Sequence, residues 1–309
     1  MESKIAIGCL VQWYEADIVG EYFNSLYSAI KNYEGEVVVD IWVSTNEDLE
    51  KCIDVETKNQ CIETIKATAK GFPLTISNKL VTIADYRREF NKKYCDKVDI
   101  LVWGETDMLV PKQMFQAINN LHTSVPDKKY LATFAICKMW DASWKLIEHP
   151  EFTDKPFIEN DYTNWWSVKY TMNEDEMNLF NDKVEELDVS IIQPNKYNGC
   201  GLVISSEIIK LGINIPESVF FVHEDTAFML MVNNKLGNIP QYHFRNILVV
   251  HNRNHPKKRM YVANESGDTM NQKRRSNDWY VKANKYSEEN CYNMFNPNHK
   301  PKTWADVWK

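Results

Sequence analysis

Apolar residues in the first 136 positions occur as short unbroken runs, separated by stretches in which they recur every three or four positions. IAIGCLV (residues 5–11) has the length and composition of a buried strand. Ile18, Val19, Tyr22, Phe23, Leu26, Tyr27 and Ile30 then follow at the spacing of an amphipathic helix. After the turn-like NYEGE (residues 32–36), VVVDIWVST (residues 37–45) is rich in β-branched residues and predicts a second strand. An intervening helix makes parallel pairing of the two strands the natural outcome.

The pattern repeats. A polar helix over about residues 49–70 precedes a short strand at LTI (residues 74–76), and the Thr82-Ile83-Ala84-Asp85 signal opens a helix running to about Tyr94. DILVW (residues 99–103) is an apolar strand that ends at Gly104-Glu105-Thr106-Asp107. Pro111 then opens a helix with Met114, Ala117, Ile118 and Leu121 on one face, and residues 131–136 form a further strand. Strands alternating with helices predict an α/β fold, a mostly parallel Rossmann-like sheet flanked by helices, with ligands held beyond the carboxyl ends of the strands.

Residues 140–197 break the rhythm. Trp140, Trp144, Trp165 and Trp166 sit there in acidic, Asn-rich sequence, and the segment is expected to be a loop-rich insertion over the site. Regular pattern returns at residues 197–212, 219–232 and 246–251, each pairing an apolar strand with polar residues at its end. Beyond Asn254 the chain is basic and only weakly periodic. One domain over 1–285 and a C-terminal tail over 286–309 is the simplest partition, since no repeat or low-complexity block divides the chain further.

At 309 residues and 44% apolar content the chain can bury a large core. No run approaches the roughly 18 apolar residues of a membrane span, and MESKIAIGCLVQWYEAD lacks the form of a secretory signal, so a cytoplasmic protein is expected. The cysteines Cys9, Cys52, Cys61, Cys95, Cys137, Cys200 and Cys291 are odd in number and never form CxxC. That argues against a disulfide framework and a zinc site. Net charge is -7, but its distribution is uneven: residues 140–190 hold 13 acidic and 4 basic side chains (-9), and residues 251–285 hold 9 basic and 3 acidic (+6).

Three strand ends carry chemistry. Glu105-Thr106-Asp107 offers hard oxygen ligands at the end of a buried strand, as a divalent cation bridging a diphosphate requires, although a solvated turn has the same composition. His223-Glu224-Asp225 follows an apolar run and begins a helix, which suits a base for an acceptor hydroxyl or an ordinary acidic helix start. His251 brings an imidazole from a third strand end.

In this order, these segments resemble the GT-A glycosyltransferases over roughly residues 4–255. Glu105-Thr106-Asp107 resembles the family's DxD motif with Glu in place of its first acid. IADYRREFN (residues 83–91) is similar to the helix before that motif, which implies that Arg87 or Arg88 lies near the diphosphate. NGCGLVIS (residues 198–205) looks like the glycine-containing strand beside donor and acceptor, placing Gly199 and Gly201 at the donor. HED resembles the late xED motif, and His251 matches a C-terminal metal-ligand histidine.

The resemblance implies Mn2+ or Mg2+ held by Asp107 and His251, a nucleoside-diphosphate sugar as donor, and Asp225 as general base with Glu224 next to it. Inversion at the anomeric carbon is expected, with retention as the alternative. Glu105 acts on metal or sugar, and Lys257, Lys258 and Arg259 can neutralise phosphate. The family's aspartate after the second strand has no clear counterpart; Asn46, Glu47 or Asp48 stands in that place.

The composition, rich in Asn, Lys and Ile, resembles that of an AT-rich genome such as a bacteriophage's. With the basic segment and its interleaved Trp279, Tyr280 and Tyr286, it makes hydroxymethylated bases of duplex DNA the leading acceptor. A cell-surface glycan, lipid carrier or protein is the alternative. A nucleotidyltransferase would carry a Gly-rich basic loop after the first strand, which residues 8–13 (GCLVQW) are not, and an inactive binding module would have lost the carboxylates present at Asp107, Glu224 and Asp225.

Overall fold

The computed structural model describes residues 2–136, 173–192, 198–252, 257–263 and 277–309. Its strands are β1 (Ile5–Gln12), β2 (Val37–Ser44), β3 (Leu74–Ser77), β4 (Ile100–Trp103), β5 (Met108–Leu109), β6 (Leu131–Ile136), β7 (Val189–Ile191), β8 (Val203–Ser205) and β9 (Gln241–His251). The helices are α1 (Ala16–Lys31), α2 (Val55–Thr68), α3 (Ile83–Tyr94), α4 (Met114–Ser124), α5 (Glu174–Asn181), α6 (Ser206–Lys210), α7 (Glu224–Leu236), α8 (Asp278–Tyr292) and α9 (Trp304–Val307).

The sheet order is β3, β2, β1, β4, β8, β6, β9, β5, with β7 also paired to β9. Strands β1, β2, β3, β4, β6 and β9 run one way; β8, β5 and β7 run against them. The expected α/β class and mostly parallel sheet are therefore observed. Because β4, β6 and β9 share a direction with β1, their carboxyl ends lie along one edge.

Alternation within β1 explains the two-sided core. Ile5, Ile7, Cys9 and Val11 pack with α1, α2 and α4 on one face, and Ala6 and Leu10 pack with α3, α6 and α7 on the other. Gly8 belongs to the second face, where a Cβ would meet the Phe90 ring and the Tyr86 hydroxyl; its absence lets α3 lie close to the strand. Trp103, at the end of β4, is fully buried against Phe228 of α7, at 5.3 Å between ring centroids. Burying such a side chain contributes about 1.5–3 kcal/mol, so this contact fixes α7 on the sheet.

Helix α3 begins at the residue the sequence indicates, because Thr82 accepts from the Asp85 amide while the Asp85 carboxylate accepts from the Thr82 amide. The helix expected from about residue 49 instead starts at Val55, where Asp54 caps the Thr57 amide at 2.7 Å.

Two larger differences concern the second half. VFFV (residues 219–222) is not a strand. Phe220 and Phe221 are buried against Trp279, Tyr280 and Trp304 rather than in the sheet. The boundary expected at 285/286 falls inside α8, whose Ser287 and Asn290 donate to the carbonyls of Val222 and Ser218. The C-terminal residues thus brace the loop that leads into α7. No helix among the described residues is long and apolar enough to cross a membrane.

Candidate active site

Sheet register brings the expected acids and histidine together. At the end of β4, the Gly104 amide donates to the Gly8 carbonyl at 2.7 Å, which keeps the chain against β1 for one more residue. Glu105, Thr106 and Asp107 turn the chain into β5, which pairs antiparallel with the end of β9 so that Met108 stands opposite His251. The Asn252 amide donates to the Asp107 carbonyl at 2.7 Å. Asp107 and His251, 144 positions apart by their numbers (251 minus 107), thereby become neighbours.

His251 Nε2 lies 3.0 Å from Glu105 Oε2 and 3.6 Å from Asp107 Oδ1. Asp107 is 5% exposed, and its Oδ1 is buried without a hydrogen-bond partner among the described residues. Its Oδ2 accepts from Lys258 Nζ at 2.6 Å, and Lys258 also stands 3.7 Å from the buried Glu15. Burial acts to raise the Asp107 carboxyl, but Lys258 and His251 outweigh it and hold the group below its ordinary value. Burial opposes ionisation of Glu105 too; His251 and Arg87 prevail and keep it well below the usual carboxylate range.

Arg87 links this cluster to the HED helix. Its guanidinium, 2% exposed, donates to Glu105 at 2.7 Å, to Glu224 at 2.5 Å and to the Gly199 carbonyl at 3.0 Å, and lies 4.7 Å from the centre of the Trp103 ring. One cation serves two acids. Glu105 has His251 as a further partner, whereas Glu224 has Asp225 as a neighbouring like charge. Burial and that neighbour, against the pull of Arg87, push the Glu224 carboxyl up to about 7.

Asp225 is half-buried, and its Oδ1 accepts from the Thr226 amide at 2.7 Å, which leaves Oδ2 without a hydrogen bond among the described residues. The α7 N-terminus is reached through His223 at φ 68°, a left-handed conformation that turns the chain sharply and carries Glu224 inward.

Gly199 and Gly201 also reach the cluster. A Cβ at Gly199 would overlap Arg87 Nη1, and Gly201 adopts φ +69° while donating to the Trp103 carbonyl at 2.9 Å.

The basic residues divide differently from expectation. Arg88 faces away from the site: it donates to the carbonyls of Ile215, Pro216 and Val219 and pairs with Asp85. One residue further along a helix is rotated by about 100°, so neighbours in sequence face different surroundings. Arg259 is 1% exposed, paired with Glu50 at 2.5 Å over the Tyr14 ring, and anchors residues 257–263 rather than facing a ligand. Lys257 is exposed and acts on the Glu21 carboxyl. Of the three, Lys258 alone contacts Asp107.

After β2, Glu47 is taken by Lys58 and the Cys52 amide, while Asn46 binds Asp48, the Asn78 carbonyl and, through its own carbonyl, Trp13 Nε1. The tryptophan-rich stretch over residues 140–172, Tyr197, and Lys273, Arg274 and Arg275 lie outside the described residues.

Two residues of the cluster escape a reading by motif. Cys200 places its sulfur with Glu105 and His251, all three ligand atoms within 4.8 Å of one another. Its place inside NGCG, beside the expected donor strand, was the available signal. Glu15, a buried acid facing Lys258, carries none, because nothing local distinguishes it from a surface helix start.

Two carboxylates and an imidazole, with a buried oxygen left unpartnered, fit a hard or borderline divalent cation such as Mn2+ or Mg2+. The acids and the histidine lie at the strand ends of a GT-A-type α/β fold, a fold shared with one solved structure. Staphylococcus aureus TarS (residues 1–349) in complex with UDP-GlcNAc matches with a TM-score of 0.50 at 8% identity, over 98% of this chain and 70% of that one. Glucosyl-3-phosphoglycerate synthase of Mycobacterium tuberculosis, in complex with Mn2+, UDP and glucosyl-3-phosphoglycerate, matches at 0.42 and 9% identity, over 80% of this chain and 69% of that one. Mannosyl-3-phosphoglycerate synthase of Rubrobacter xylanophilus matches at 0.42 and 13%, over 80% and 65%. The chain spans about two thirds of the length of these structures. No protein-family model and no curated protein matches the sequence.

Proposed function

We propose that the chain is a metal-dependent glycosyltransferase that moves a sugar from a nucleoside-diphosphate sugar to an acceptor hydroxyl. The carrying observation is the meeting of Glu105, Asp107 and His251 at the sheet edge, joined through Arg87 to Glu224 and Asp225. The same fold in a structure holding UDP-GlcNAc supports a nucleotide sugar as donor.

Asp107, His251 and Glu105 would hold Mn2+ or Mg2+, which when bound offsets charge developing on the departing diphosphate. Lys258 adds a fixed positive charge beside Asp107, available to a phosphate oxygen. Asp225 takes the proton of the acceptor hydroxyl at Oδ2, since Glu224 is committed to Arg87. Arg87 is a positioning residue that holds both acids in register. A base on the acceptor side fits a single displacement with inversion.

For the acceptor, the reading is a hydroxymethylated base in duplex DNA, supported by the basic charge of residues 251–285 apart from Lys258 and Arg259, which Asp107 and Glu50 hold. A hydroxyl of a glycan, lipid carrier or protein is the other reading.

The test is turnover of a panel of nucleotide sugars with Mn2+, scored by nucleoside diphosphate release, with acceptors that include duplex DNA containing or lacking 5-hydroxymethylated pyrimidines. Donor turnover is expected for the wild type and its loss for Asp107→Asn, which removes a ligand charge at nearly constant volume. No release with any donor would overturn the enzyme reading, and donor turnover without sugar on modified DNA would overturn that acceptor.

A further inference from the structure

We infer that Cys200 is a metal ligand, so that the strand-end cluster takes thiophilic divalent ions such as Zn2+ in addition to the hard ions its carboxylates suit. The sulfur of Cys200, a Glu105 oxygen and a His251 nitrogen lie within 4.8 Å of one another. Asp107 Oδ1, buried and without a hydrogen bond among the described residues, lies 3.6 Å from His251 Nε2. One thiol, one imidazole and one carboxylate are the donor types of a three-ligand zinc site with an open fourth position, next to which Asp107 stands. Metal–sulfur and metal–nitrogen lengths of about 2.3 and 2.0 Å put such donors roughly 3.5 Å apart.

The local backbone presents the thiol. Asn198 Oδ1 accepts from the Cys200 amide at 3.1 Å and Asn198 Nδ2 donates to the Cys200 carbonyl at 3.0 Å, a two-point clamp on the residue. Gly201 then turns through φ +69° onto the Trp103 carbonyl, at the end of the strand that leads to Glu105. Cys200 is 3% exposed, while the Glu105 side chain is 24% exposed and leaves the cluster open on one side. On binding, the thiol proton leaves to solvent, a sulfur–metal bond forms, and no electron changes hands.

Softness decides selectivity: sulfur favours Zn2+ and Cd2+, and adds little for Mg2+ or Mn2+. A thiophilic ion seated there shares Glu105 and His251 with the ion proposed for catalysis, so it acts as a competing occupant. That competition rests on the proposed function; ligation by Cys200 does not.

The experiment uses the full chain in metal-free buffer, titrated with CdCl2 and followed by the ultraviolet charge-transfer band of thiolate bound to Cd2+. Mn2+ binding is followed in parallel by electron paramagnetic resonance, with circular dichroism to check the fold of each variant. Wild type is expected to saturate the band near one ion per chain, and His251→Ala to weaken it. Cys200→Ser should lose the band and lower the ratio of Cd2+ to Mn2+ affinity by roughly tenfold or more. A folded Cys200→Ser or Cys200→Ala protein that keeps both the band and the affinity ratio overturns the inference. A Cys200-dependent band in a protein that binds no Mn2+ upholds it while removing the metal-dependent enzyme reading.

Discussion

Arg87 and Glu224 stand 137 positions apart in the chain and meet at 2.5 Å inside the site. The same guanidinium holds Glu105 at 2.7 Å, so one buried cation ties the strand-end acids to the helix that carries Asp225. Ion pairs this deep are not a large net source of stability, because desolvation offsets their attraction; breaking one is costly, because the remaining charge is left buried.

Arg87→Ala should therefore destabilise the fold by about 3–5 kcal/mol, read as a lowered urea midpoint. Arg87→Lys keeps the charge, but a point ammonium cannot bridge two carboxylates as a planar guanidinium does, so intermediate stability and reduced turnover are expected. Equal midpoints for the alanine variant and the wild type would show that the bridge is energetically idle.

The Glu224 carboxyl, raised by burial to about 7 from an ordinary value near 4.5, gives a pH signature. Between those values the folded state holds a proton that the unfolded state has lost, so this contribution is full below pH 4.5 and disappears as pH rises to 7. The stability of wild type relative to Glu224→Gln should fall by roughly 3 kcal/mol across that window and then level off. Denaturant unfolding of both proteins at a series of pH values checks it, and a difference that is flat or rising with pH would place the titration elsewhere.

Gly199→Ala puts a methyl on Arg87, with Cβ 3.1 Å from Cζ and closer still to Nη1. Two carboxylates and a carbonyl hold the guanidinium, so the methyl must shift it against those partners, and turnover should drop sharply with the helix content unchanged. Gly20→Ala is the control. Its Cβ meets only Thr68, at 3.6 Å, and it lies within α1, where alanine is favoured over glycine by about 1 kcal/mol. A modest rise in stability is expected there, and equal behaviour of the two variants would count against the bridge at Gly199.

Much of the architecture was legible in the order of residues. Strand-length apolar runs at 5–11, 37–45 and 131–136, the Thr82/Asp85 capping pair, and acids just past an apolar strand are local patterns whose physics acts within a few residues, and each lies where the pattern places it. What the sequence left open depends on contacts between distant segments. The choice of Arg87 over Arg88 follows from the phase of α3 against Trp103 and Glu224. The meeting of Asp107 with His251 follows from the register of β5 on β9. VFFV has strand composition, yet it packs its aromatic rings on α8 and α9, because burial against an available apolar partner outweighs a local preference for extended pairing. For Cys200 the sequence offered only its place inside NGCG; its sulfur joins Glu105 and His251 when β4, β8 and β9 bring their ends to one edge of the sheet.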